Sequence, residues 1–119
     1  MDDLIERLEK AIGPDAKLNR DVFDAARDFH SDYGPGARIP KFTESIDAAL
    51  TLVPIGMAWT LGQNVHHRYW QACINDIDSE GKPYARGFSG HTDLKSPAIA
   101  LCIAALRAHA ALTTGKRDG

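Results

Sequence analysis

The residues best suited to chemistry lie in the second half of the chain. His66 and His67 are adjacent, and His91 and Asp93 sit two apart further on. Imidazoles and carboxylates are ordinary zinc ligands, and a catalytic zinc needs three of them. Both segments read as extended chain. There, adjacent side chains point to opposite faces and residues two apart share one. His66 and His67 therefore do not hold one ion together, whereas His91 and Asp93 can face the same side. A metal-dependent enzyme would need His66 or His67 brought to His91 and Asp93 by the fold. The plainer account of the histidine pair is two polar residues at a turn and strand start.

The other constellations are weaker. Asp76-Ile77-Asp78-Ser79-Glu80-Gly81 matches the first half of a calcium loop, but Gly87 stands where the closing bidentate carboxylate belongs. A polar hairpin tip explains it better. Gly34-Pro35-Gly36 follows no strand and fits neither a P-loop nor a dinucleotide fingerprint. No serine sits in a nucleophile elbow, and neither Cys73 nor Cys102 has a base nearby in sequence. Arg68, Lys82, Arg86 and Lys95 lie near Tyr69 and Tyr84, a combination that can stack single-stranded bases. Asp76, Asp78 and Glu80 oppose a polyanion there, and charges that discourage edge pairing account for the basic residues. No catalytic, cofactor-binding or metal-ligating residue is assigned, and no cofactor is implied.

The totals agree with this restraint. The chain has 119 residues, 44% hydrophobic and 25% charged, with a net charge of −2. It reads as one globular domain over 1–119, with a loop at 30–42 and a flexible tail at 115–119. The charge gives no general pull toward nucleic acid or anionic membrane. Two cysteines do not make a disulfide framework and fit a reducing compartment. Met1-Asp2-Asp3 leading into a charged helix is not the start of a signal peptide. A cytoplasmic protein is expected.

The elements that must position any site follow from periodicity. Leu4, Ile5, Leu8 and Ile12 predict an amphipathic helix over 3–12, with Asp3 and Glu6 as a capping box, ended by Gly13-Pro14. A second helix is expected over 19–29, capped by Asn19, with Leu18 and Phe23 as a hydrophobic staple and Val22, Ala26 and Phe29 facing inward. Thr43 should open a third, with Ile46, Ala49, Leu50 and Val53 as its stripe, stopped by Pro54 and Gly56. The period then changes to two. Strands are expected at 57–62, 67–77 and 84–88, with Met57, Trp59, Leu61, Trp70 and Ile74 forming an apolar face and 89–95 irregular.

The last element organises the rest. From Ala98 to Leu106 nothing is more polar than a thiol. Ser96 is a good N-cap, Pro97 suits the first helical position, and Gly115 is a stop. A helix apolar nearly all round is buried nearly all round. Arg107 and His109 interrupt it well short of the ~20 apolar residues needed to span a membrane. Ile99, Cys102, Ile103 and Leu106 should meet the sheet, while Ala100, Ala104 and Ala111 admit a close neighbour. The fold class is α+β, with three N-terminal helices, a three-stranded antiparallel meander and a buried C-terminal helix.

Ser45-Ile46-Asp47-Ala48-Ala49-Leu50-Thr51-Leu52-Val53-Pro54 followed by Trp59, the run Pro97 to Ala108, and Asp3 to Glu9 together resemble the phage ABA sandwich domain family. The resemblance spans roughly residues 1–112 with a variable middle. It implies a layered α/β/α sandwich encoded by a bacteriophage or prophage. It implies no activity, and its shared positions are packing positions. The expected function is that of a small accessory protein working through contacts with a protein partner in the bacterial cytoplasm. A metal-dependent enzyme using His66, His67, His91 and Asp93, or a weak nucleic-acid binder on the strand face, are the alternatives.

Overall fold

A computed structural model describes residues 2–27, 36, 38–54, 56–64, 69–77, 83–93 and 96–115, with the backbone alone described at 64, 69, 76–77, 83–93 and 112–115. The chain is a mixed α+β globule. In order it runs α1 (Asp2–Lys10), α2 (Ala16–Ala26), α3 (Ile46–Leu50), β1 (Ala58–Asn64), β2 (Tyr69–Ile77), β3 (Pro83–Asp93) and α4 (Pro97–Gly115).

The core is built on α4. Ser96 caps it, its hydroxyl oxygen accepting the Ala98 N–H at 3.2 Å. Every residue from Ala98 to Leu106 is fully buried. A helix can be buried all round only if different elements cover its different sides. Here β2 and β3 cover part of α4, and α3 and α1 cover another part. Ala100, Ala104 and Ala108 recur every fourth residue and are fully buried. Such a small-residue row lets a neighbour approach closely. Ala111, expected in that row, is only half-buried.

β1 pairs antiparallel with β2, setting Trp59 opposite Ile74, Leu61 opposite Ala72 and Thr60 opposite Cys73. β2 pairs antiparallel with β3, setting Ile74 opposite Phe88 and Gln71 opposite His91. β1 is an edge strand. On the inner face Ala72 and Ile74 are fully buried, Leu61 and Trp70 half-buried, and Trp59 is 44% exposed. The expected apolar face exists, but its burial fades toward β1, because α4 lies over β2 and β3. β3 extends to Asp93, past the irregular stretch expected from residue 89. Ser89, Gly90, His91 and Asp93 have weak strand preference. Pairing with Tyr69, Gln71, Ala72 and Cys73 supplies what those residues lack.

The layer order differs from α/β/α. Among the described residues the sheet packs on α4, and α1 and α3 pack on α4 in turn, with α2 against α1. Thr60, Gly62 and Gln71 on the outer sheet face are exposed. Helices gather on one side because α4 offers an apolar surface all round, whereas the outer face of β1 and β2 is polar.

Several helix boundaries also depart from expectation. α1 stops at Lys10, so Ile12 falls beyond the helix and is 92% exposed. Asp3 lies inside α1 and pairs with Arg7 at 3.1 Å, while Glu6 pairs with Lys10 at 2.8 Å. No Asp3–Glu6 capping box forms. Arg7 also reaches Asp21 and ties α1 to α2.

α2 starts earlier than Asn19. Asp15 is its N-cap, accepting the Leu18 N–H at 3.0 Å. Asn19, Leu18 and Phe23 are buried within the helix, and Phe29 lies outside the described residues. Thr43, expected to open α3, is fully buried. Ser45 caps α3 instead, accepting the Ala48 N–H at 3.1 Å. α3 is one short turn. Ile46 is 37% exposed, and Leu52 in the following turn is fully buried. Gly56 has φ +87°, which favours glycine at this turn.

Asn19 and Thr43 explain both shifts. Asn19 Oδ1 accepts from the Thr43 N–H at 2.8 Å and from the Thr43 hydroxyl at 2.7 Å. The hydroxyl in turn accepts the Asp15 N–H at 2.9 Å. A tertiary bond has claimed the side chain that looked like a helix cap. Asn19→Ala strands the buried Thr43 N–H, while the hydroxyl keeps the Asp15 carbonyl at 3.3 Å as an acceptor, and an expected loss of about 1–3 kcal/mol should appear as a lower urea midpoint. An unchanged midpoint would contradict this role.

Candidate functional site

His66 and His67 lie outside the described residues, as do Arg68, Asp78, Glu80, Lys82 and Lys95. The sheet register settles where the other candidates stand on the backbone. Tyr69 is opposite Asp93 and Gln71 opposite His91, while Gln71 and Cys73 face Gly62 and Thr60 on β1. Thr60, Gln71 and Cys73 share the outer sheet face. Along β1 and β2 the sheet carries a shallow hollow of about 360 Å³, lined by Thr60, Leu61, Gly62, Gln63, Gln71 and Cys73. Its polar side chains are neutral amides, a hydroxyl and a thiol. No described group of three or more His, Cys, Asp or Glu side chains can hold a metal ion.

Another hollow lies between α1 and α4, lined by Asp2, Ile5, Glu6, Glu9, Arg107 and Ala110. Arg107 donates to Glu9 at 2.8 Å, and Lys10 engages Glu6. This is a solvated ion-pair seam. Pairs of this exposure contribute little to stability.

The polar groups around α4 are structural. The Cys102 thiol donates to the Phe42 carbonyl at 3.3 Å, anchoring the turn that carries Thr43. His109 Nε2 stands 2.7 Å from the Leu52 carbonyl oxygen, and since a carbonyl only accepts, that nitrogen carries the proton. Every described buried side-chain nitrogen and oxygen has a hydrogen-bond partner. Among the described residues, the polar groups that meet beside α4 in an open hollow are the paired charges of the seam with α1.

Burial pushes the Cys102 thiol up from its ordinary range, which keeps it protonated and poorly nucleophilic at neutral pH. Cys73 is half-buried on the outer sheet face. The folded chain should therefore take up one equivalent of an alkylating reagent at Cys73, with Cys102 reacting only after unfolding. Peptide mapping checks this, and early labelling of Cys102 would show that α4 opens locally.

The feature that the sequence reading missed is Trp59. It belongs to the face expected to be covered, yet it is 44% exposed on an edge strand. The available signal was compositional. Ala58-Trp59-Thr60-Leu61-Gly62-Gln63-Asn64 contains no charge and no proline, the residues that usually guard an edge. No helix among the described residues is long and apolar enough to cross a membrane. Compared with family models, curated proteins and solved structures, the chain matches none.

Proposed function

We propose that this chain is a non-catalytic accessory protein of a bacteriophage or prophage that works through protein contacts in the host cytoplasm. The observation behind this reading is Trp59, a large aromatic exposed on an uncharged edge strand. Exposed aromatics of this kind are enriched at contact sites. The phage origin rests on the resemblance of residues 45–54, Trp59 and 97–108 to the phage ABA sandwich domain. The finer architecture proposed with it is a three-stranded antiparallel meander forming one outer layer over α4.

Capture from infected or lysogenic cells tests the reading. The wild-type chain should retain a partner that Trp59→Lys loses, with the thermal melt unchanged. The metal-dependent alternative draws on one observation, that the backbone register sets His91 opposite Gln71 and Asp93 opposite Tyr69 at one end of the sheet. Stoichiometric zinc after purification, lost in His91→Ala, would favour that alternative and count against a contact protein.

A further inference from the structure

The two edges of the sheet are built differently. β3 carries Pro83, Arg86 and Asp93, and a register shift between Asn75 and Ile77 interrupts its pairing with β2. Proline, charge and irregular pairing are the means by which edge strands avoid adding another strand. β1 has none of these. Its seven residues are uncharged, its register with β2 is unbroken, and its inner-face Trp59 is exposed.

We infer that β1 pairs antiparallel with β1 of a second copy of this chain, joining the two sheets across a two-fold axis through Leu61. This inference rests on the contact reading above and names the partner. An antiparallel strand is self-complementary under a two-fold, which is the geometry of the commonest homodimers. Full overlap of Ala58–Asn64 sets Leu61 against its own copy, Trp59 against Gln63 and Thr60 against Gly62. The exposed backbone groups of each edge then find partners, as in strand addition to a sheet edge. Trp59 and Leu61 of both copies form one apolar strip on the inner face. Because β1 is uncharged, two chains of net charge −2 meet there without facing carboxylates. A charged peptide strand would find no complementary charge along β1, which is why a second copy is the better fit. One strand and one tryptophan per copy make a small interface beside the ~800 Å² per partner of a standard one. The dimer is therefore reversible and dissociates on dilution.

Sedimentation of the full chain over a wide concentration range tests this. The wild type should move from monomer to dimer as concentration rises. Trp59→Lys with Gln63→Lys places ammonium against ammonium twice across the axis and should remain monomeric. Trp59→Lys with Gln63→Glu places opposite charges at the same positions and should dimerise again. Both positions are exposed, so circular dichroism should show all three chains equally folded. A wild type that stays monomeric overturns the inference, as does a Lys/Lys variant that still dimerises or a Lys/Glu variant that does not. A monomeric wild type that still retains a cellular partner through Trp59 would remove the self-pairing while leaving the contact function standing.

Discussion

Ile103→Asp abolishes cooperative folding at neutral pH. Ile103 is fully buried in the middle of α4, with buried residues on both sides of it in sequence. Aspartate there loses the apolar contact and places a carboxylate where water cannot reach it. An unpaired buried charge belongs to the few changes that cost more than about 4 kcal/mol. Whole-domain stability is only about 5–15 kcal/mol, so one such change can exhaust it. The pH dependence has a definite sign. Burial raises the folded-state pKa of the new carboxyl above its unfolded value of about 3.9. The folded state then binds more protons than the unfolded state, so stability falls as pH rises between the two values. The variant should regain structure on acidification, while Ile103→Asn, which cannot titrate, should not. A wild-type melt for Ile103→Asp at neutral pH would contradict the burial of α4.

Leu106→Ala is the second large effect. Leu106 is the last residue of the fully buried run, and its truncation removes buried methyl groups and leaves a cavity. The expected cost is ~2–5 kcal/mol, seen as a lower denaturant midpoint with an unchanged slope. Arg107→Ala is the natural contrast. Arg107 is half-exposed and its pair with Glu9 lies on the surface, so its loss should change stability by no more than about 1 kcal/mol. Equal effects at the two positions would mean that the boundary between core and surface on α4 is misplaced.

The sequence was legible where one force dominates. α4 declared itself because Ser96, Pro97 and an unbroken Ala/Leu run all agree on a buried helix. The alternation around Trp59, Leu61, Trp70 and Ile74 likewise placed one sheet face correctly. Reading failed where tertiary contacts outvoted local preference. Asn19 looks like a helix cap, but its amide is used by Thr43, and Asp15 caps α2 instead. Ile12 fits the helical period, but the period does not reveal that the helix has already ended. Phe42 falls in the expected loop, yet it is fully buried with its carbonyl bonded to Cys102, a contact across sixty residues of chain. A meander already sets β1 at an edge, but alternation does not show that α4 lies over β2 and β3, so the exposure of Trp59 was hidden. The proposed contact site was illegible for the same reason, since it depends on how far the covering helix reaches across the sheet.

Native-state hydrogen exchange along α4 tests the central claim most directly. If this helix is enclosed by its own chain, the amides of Ile103 to Leu106 open only with the whole molecule. They should exchange at the slowest rates in the protein, with an opening free energy equal to that from urea unfolding. Exchange there as fast as in α3, well below the global value, would show that α4 is not the enclosed centre of the fold.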